Sequence, residues 1–353
     1  MAWNVLVRKG VLQLQDPGPP LPFLRSQPPG AYTTTRSTNN ASNILLWERH
    51  MERLAQSVQL LSKEMPHLFP NSPEKSPCFV EHVKSLVQPS LRVGLQKALE
   101  LRNEGGELLI MAYITGEKED SKGKAALVDQ EGFDVYIHIS RCMPIHPESD
   151  ARKAIRVAIM GLGRFLPNAK HTDWIRTRQA LEKTRPKDVT EVILSNDGDL
   201  LLEGMITNFF VVVSRRTSAE AELSVNQDQN WNGLMLQTAP LKGVLPGVVR
   251  KLVLEICDEN GISSEQSPPS WRYRGSWKEA FTTNSVHLIQ PVGHIQSPVH
   301  WDGTNEPHYQ QEESWEHFTL KAPGSLTDFI QSQLLDKAAV YSTSIDSLLG
   351  VLA

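Results

Sequence analysis

The spacing of apolar residues divides the chain into helical and extended stretches. In WERHMERLAQSVQLLSKE, residues 47–64, Met51, Leu54, Val58 and Leu61 recur at intervals of three and four. That spacing lines one face of a helix, so the stretch predicts an amphipathic helix. AYTTTRST, beginning at Ala31, has the β-branched and aromatic content of a strand. It follows the proline-rich QDPGPPLPFLRSQPPG (residues 15–30), which reads as irregular, so the strand is expected to open the folded core. GELLIMAYITG and FDVYIHISR read as a strand pair joined by a charged connection.

Farther on, the polar, proline-bearing MPIHPESDARK reads as a linker, placing a first domain at residues 1–145, the linker at 146–155 and a second domain at 156–304. In the second domain KAIRVAIMGLG is strand-like, and TDWIRTRQALEKTRP predicts one helix closed by Pro186. EVILSNDGDLLLEGMITNFFVVV predicts two strands around an Asn-Asp-Gly-Asp turn, and SVNQDQNWNG a further polar turn. LPGVVRKLVLEICDENG predicts a helix starting near Pro246 and ending before Gly261, and EAFTTNSVHLIQPV a late strand or loop. The tail, 305–353, carries one amphipathic helix, SLTDFIQSQLLDKAAVY. The alternation of strands and helices gives a mixed α+β and α/β fold, with no internal repeat.

Composition narrows the function. A chain of 353 residues with 40% hydrophobic content can fill two cores. A formal charge of -4 and a pI near 6.3 supply no basic field for nucleic acid. Cys78, Cys142 and Cys257 lie far apart with no CxxC pair, which argues against a disulfide framework or zinc site and fits a reducing compartment. The histidines show no metal spacing. The first residues lack the apolar core of a signal peptide and the composition of a transit peptide, and no apolar run approaches the roughly 20 residues of a membrane span. A cytoplasmic location and small-molecule chemistry are the expectation.

Glu203 stands in LLEGMITNFFVVV, residues 201–213, a stretch otherwise suited to burial. Carboxylates are almost never buried unpaired, since lost hydration costs several kcal/mol, so Glu203 needs either a cationic partner or an exposed strand face. Lys170, in PNAKHTDW, precedes a helix, and lysine amines form Schiff bases with aldehydes when desolvated. A lysine for an aldehyde and a carboxylate for a pyridinium nitrogen are the two groups that pyridoxal 5'-phosphate requires. Its phosphate needs a cradle, and the helix opening at PGVVRK offers the backbone N–H groups of Gly247, Val248 and Val249. Arg53 in HMERLAQS adds a candidate bidentate clamp, Ser285 in TTNSVH a hydroxyl donor, and Asn208 follows Glu203 by five residues. Taken singly each has an ordinary reading: a capped helix end, a surface arginine, a turn serine, a solvated lysine.

Together they resemble the class IV pyridoxal-phosphate enzymes, the family of branched-chain and D-amino-acid aminotransferases and aminodeoxychorismate lyase. HMERLAQS is similar to that family's His-x-x-Arg-Leu-x-x-Ser helix, EGMITNFFVV to its Glu-Gly-x-x-x-Asn-x-Phe strand, LKGVLPGVVRKLV to its Leu-Pro-Gly-x-x-Arg turn, and EAFTTNSVHLIQPVGHI to its closing segment. Lys170 precedes Glu203 by 33 residues, similar to the family's separation of lysine and carboxylate. The resemblance spans about residues 28–295. It implies a two-domain, D-amino-acid aminotransferase-like fold of type IV: a small N-terminal α+β domain, a larger C-terminal domain, the cofactor in the cleft between them, and a homodimer. It further implies Lys170 as the Schiff-base lysine and proton shuttle, Glu203 as the partner of the ring nitrogen, and Arg53, Val248, Val249 and Ser285 as phosphate ligands.

The chain also departs from the family. A tyrosine five residues after the lysine, found in the branched-chain type, is replaced by Ile175, and a frequent threonine of the phosphate turn by Val249, leaving only its N–H. No arginine and histidine pair for a substrate carboxylate aligns; Arg36 and Arg141 are the candidates for that task. GAYTTTRST resembles the lyase branch, which implies Tyr32, Thr33 and Thr34 on the substrate face. The resulting expectation is an aminotransferase acting between a small amino acid and a 2-oxo acid. The alternatives are a lyase resembling aminodeoxychorismate lyase and a cofactor-binding protein without turnover.

Overall fold

The computed structural model describes residues 3–69, 78–102, 105–116, 132–142, 153–215, 231–304 and 315–350. The chain forms two compact units: Met1–Pro144, Asn168–Thr177 and Ala338–Ala353 make the first, and Ile145–Pro167 with Arg178–Lys337 the second.

The first unit is built on a seven-stranded antiparallel sheet. Its strands are β1 (Asn4–Arg8), β2 (Val11–Leu12), β3 (Ala31–Thr38), β4 (Asn43–Ile44), β5 (Glu107–Gly116), β6 (Phe133–Cys142) and the closing Thr343–Ser344. They lie in the order Thr343–Ser344, β4, β3, β5, β6, β1, β2. The helix Trp47–Glu64 has the predicted bounds and buries Met51, Leu54, Val58 and Leu61. The sheet begins earlier than the sequence suggests, because β1 precedes the AYTTTRST strand. The proline-rich stretch is also not wholly irregular: Pro20–Ser26 is a short helix whose Phe23 and Leu24 are buried. Proline fits the first turn, where its missing N–H has no intrahelical acceptor. A long helix, Phe79–Leu101, was not anticipated, since Pro89 and Gly94 interrupt its pattern. It buries Val83, Val87, Leu91, Leu95 and Ala98, and Gly94 lets it approach Ile137, Ile139 and Val7 of the sheet.

The second unit contains β7 (Ile155–Ile159), β8 (Glu191–Ser195), β9 (Leu201–Gly204), β10 (Asn208–Ser214), β11 (Leu234–Thr238), β12 (Ser264–Glu265), β13 (Trp277–Asn284), β14 (Leu288–Pro298) and β15 (Trp315–Thr319). The order is β12, β11, β10, β13, β14, β7, β8, β9, with β15 added at β14. β9 also pairs with β10, so β10, β13, β14, β7, β8 and β9 close on themselves around a core that includes Val157, Ile193, Phe209, Val211, Ala280 and Ile295. The closing contact is one register pair, Asn208 with Glu203. Three predictions change here. EVILSNDGDLLLEGMITNFFVVV makes three strands rather than two, because the chain turns a second time at Met205–Thr207. TDWIRTRQALEKT makes two short helices, Thr172–Thr177 and Gln179–Thr184, broken at Arg178, whose buried guanidinium pairs with Glu182 at 2.9 Å. The late segment is a hairpin of β13 and β14, joined at residues 285–287.

The phosphate-turn helix runs Val248–Glu259, and the tail helix Ser325–Val340 buries Leu326, Ile330, Leu334 and Ala338 along one stripe. Most of the expected linker and of the polar turn before Trp231, and the first part of the tail, lie outside the described residues. No helix among the described residues is long and apolar enough to cross a membrane.

Candidate active site

In the first unit the helix Trp47–Glu64 presents His50, Arg53 and Ser57 on one face, since residues three and seven apart share a side of a helix. All three are buried. Arg53 Nη2 donates to Thr33 Oγ1 at 2.8 Å, and Thr33 Oγ1 lies 2.7 Å from His50 Nδ1. Arg53 can only donate, and its Nη2 also lies 3.3 Å from His50 Nδ1, so Nδ1 is an acceptor; the neutral imidazole takes the threonine proton there and carries its own on Nε2, which has no hydrogen-bond partner among the described residues. Burial, with Arg53 and Lys170 nearby, holds His50 well below the ordinary histidine range. Ser57 Oγ donates to Arg53 O and accepts the Lys170 N–H at 3.1 Å. The Lys170 carbonyl accepts from Tyr32 N–H at 2.9 Å, and His171 bridges to Ala31, so this segment extends the start of β3. Lys170 Nζ lies 4.7 Å from the centre of the Tyr32 ring, an apolar face that limits its hydration. Lys170, Arg53 and Tyr32 thus come together in one unit.

In the second unit Glu203 is the next-to-last residue of β9 and is buried. Its Oε2 accepts the Leu245 N–H at 2.9 Å, with Asn208 Nδ2 at 3.5 Å, and Asn208 donates to Leu245 O at 2.9 Å. The carboxylate and amide therefore grip the Leu245–Gly247 turn. A Cβ at residue 247 would overlap Asn208 Oδ1, which is why glycine stands there. The helix beginning at Val248 has no side-chain cap, which leaves the N–H groups of Val248 and Val249 for another acceptor, whereas the Gly247 N–H expected to join them donates to Leu245 O at 2.8 Å. Thr283, opposite Asn208 in the register, is buried, and its Oγ1 has no hydrogen-bond partner among the described residues. Ser285, two residues on, is buried in the β13–β14 connection. Arg250, from the phosphate-turn motif, is turned to Ala239 O and Gln266 instead.

Among the described residues Arg164, which the sequence reading passed over, pairs with Glu203. Its Nη1 lies 3.4 Å from Glu203 Oε1, with the two side chains 4% and 3% exposed. The available signal was a lone arginine in the apolar GLGRFLP. His50 was quoted only as part of a motif, and its role became visible through Thr33. β3 alternates, so Tyr32, Thr34 and Arg36 share one face while Thr33 faces the helix. The face implied for Thr33 is therefore corrected. Arg36 is opposite Leu109, which pairs with Ser140, whereas Arg141 is opposite Leu108. The two arginines project from opposite faces of the sheet, and Arg141 is exposed. Burial lowers the Arg36 pKa, with Cys142 and Glu107 acting in the other direction. Ile175 is fully buried in the cluster that holds Tyr32 and Tyr113, so the position of the missing tyrosine is filled by packing.

The sequence profile of the class IV aminotransferases matches residues 30–295. The chain belongs to the class IV aminotransferase family, and its fold is that of the type IV members. It is similar to the branched-chain aminotransferase of Thermoproteus uzoniensis solved with norvaline, at 19% identity over 98% of this chain and 99% of that one, with a TM-score of 0.60. It resembles a hypothetical aminotransferase from Mycobacterium tuberculosis in its PLP-bound form, at 16% identity over 96% and 99%, TM-score 0.59. It is also similar to 4-amino-4-deoxychorismate lyase from Pseudomonas aeruginosa, at 17% identity over 94% and 98%, TM-score 0.56. No curated protein matches the chain. The family implies pyridoxal phosphate, and the residues present fit it: a buried carboxylate, an uncapped helix start, an orphaned threonine hydroxyl and a lysine against an aromatic ring.

Proposed function

We propose that the protein is a pyridoxal-phosphate-dependent aminotransferase that moves an amino group between a small amino acid and a 2-oxo acid. The observation that carries this reading is the join of Glu203 to the phosphate turn: the Leu245 N–H donates to the carboxylate, and two residues later Gly247 opens an uncapped helix. On this reading one hydrogen bond ties the carboxylate for a ring nitrogen to the turn whose N–H groups serve a phosphate. On this reading Lys170, Arg53 and, for the substrate, Tyr32, Thr34 and Arg36 lie in the first unit, and Glu203, Asn208, Gly247, Val248, Val249 and Ser285 in the second; Arg141, exposed on the face of the sheet opposite Arg36, is left out of the substrate set.

Bound there, pyridoxal phosphate supplies the electron sink for the bond broken at the substrate α-carbon. Lys170 Nζ moves the proton at that carbon, and the Tyr32 ring limits the water around the amine. Glu203 holds the ring nitrogen's proton, while Arg53 and the Val248 and Val249 N–H groups neutralise the phosphate. A homodimer in the cytoplasm belongs to the same reading. The test is the visible spectrum with added pyridoxal phosphate, followed by borohydride reduction, peptide mapping and half-reactions with a panel of L- and D-amino acids. Label on Lys170 and a spectral change with amino acids are expected; no half-reaction with any of them refutes the aminotransferase.

A lyase is the second reading, favoured by Ile175 at the tyrosine position and by the strand AYTTTR. Release of pyruvate from aminodeoxychorismate without an added oxo acid would establish it, and no release removes it.

A further inference from the structure

The second unit holds another buried carboxylate. Glu191, on β8, is 3% exposed. Its Oε1 accepts the Val192 N–H at 2.8 Å, and its Oε2 accepts the Thr207 hydroxyl at 2.9 Å and the Ile206 N–H at 3.3 Å. Gly204 leaves room for it, since a Cβ there would press on both Thr207 and Glu191. Side chains alternate along a strand, so Glu203 projects from the face opposite that vacancy. Burial raises the Glu191 pKa, with the three hydrogen bonds and the charge of Arg178 opposing. An apolar side chain would fill the same space without that cost, so the carboxylate is explained by the donors that converge on it.

Those donors belong to the turn between Glu203 and Asn208. β9 and β10 share a single register pair, so the ladder itself does little to fix how the two residues face each other. Within the turn, Gly204 N–H donates to Thr207 O, and Met205 N–H donates to Val192 O on β8. Glu191 adds the contacts from outside the hairpin to Ile206 and Thr207. We propose that Glu191 is the positioning residue for Glu203: it pins the Met205–Thr207 turn to β8, which sets Asn208 opposite Glu203 and holds both against Leu245. The role rests on the reading of Glu203 as partner of the cofactor's ring nitrogen.

The experiment compares two ligands on the apo protein: pyridoxal phosphate and its 1-deaza analogue, in which C–H replaces the ring nitrogen. Dissociation constants are measured for the wild type, Glu191→Gln and Thr207→Val. The threonine variant removes one hydroxyl donor and keeps the carboxylate, so the test survives if Glu191→Gln does not fold. Both variants are expected to weaken pyridoxal phosphate about tenfold more than the deaza analogue, because any loosening of the Leu245–Gly247 turn falls on both ligands alike while the ring-nitrogen contact is lost by only one of them. Equal weakening of both ligands, or weakening of neither, overturns the proposal, since general loosening does not select for the nitrogen. A wild type that binds neither ligand overturns the cofactor reading itself. A wild type that binds both equally removes Glu203 as the nitrogen's partner, and the role of Glu191 with it.

Discussion

His50 makes folding stability depend on pH in a way that can be worked out from its contacts. The side chain is fully buried, Nδ1 accepts from Thr33, and Arg53 Nη2 lies 3.3 Å from the same nitrogen. Protonation would break the acceptor and add a second buried positive charge beside Arg53. The folded pKa accordingly lies well below the ordinary value, with burial the largest cause. In the unfolded chain the residue titrates near 6.5. The unfolded state therefore takes up a proton as pH falls through that value while the folded state does not, so stability is lost on acidification. Between pH 7.5 and 5.5, with His50 neutral in the folded state throughout, this one group removes about 1.4 kcal/mol. His50→Asn keeps an acceptor near the Nδ1 position and cannot titrate. Urea unfolding of both proteins at the two pH values cancels the other histidines. The wild type is expected to lose about 1.4 kcal/mol more than the variant. Equal losses, or an NMR titration of the His50 ring near 6.5 in the folded protein, would refute the hydrogen-bond assignment.

Other expectations follow from the same contacts. Arg164→Met strips a buried carboxylate of its guanidinium and should cost about 3–5 kcal/mol in urea unfolding, with Arg164→Lys recovering part of it; a loss below measurement error means that the pair contributes nothing. Gly247→Ala should displace Asn208 from Leu245 and cost about 1–3 kcal/mol, with weaker binding of pyridoxal phosphate in a fluorescence titration. Lys170→Ala should abolish both the borohydride label and any amine half-reaction while the circular dichroism spectrum is unchanged. Turnover that survives this change would place the amine elsewhere.

Local pattern was enough to identify several parts of the candidate site. The three-and-four spacing of Met51, Leu54, Val58 and Leu61 fixes which way the helix Trp47–Glu64 faces, and His50, Arg53 and Ser57 follow as one row. The β-branched run of AYTTTRST likewise gives β3. Glu203 drew notice because a charge among apolar neighbours requires a partner, a condition that follows from solvation alone. Only the tertiary structure supplied the partners. Arg164 lies 39 residues from Glu203, Lys170 lies 113 residues from Ser57, and the Leu245 N–H lies 42 residues from the carboxylate it serves. No period of two or 3.6 residues extends across such separations. The turn at Met205–Thr207 was hidden for a related reason: Met205 and Ile206 continue the apolar run, and the contacts that hold the turn come from Val192 and Glu191 on β8. Likewise the helix Phe79–Leu101 overrides the interruptions at Pro89 and Gly94, because its buried face gains more from packing on the sheet than local propensity takes away. Sequence determined which residues carry charge, hydroxyl and amine and which faces they occupy; the long-range pairing of strands decided which of them meet.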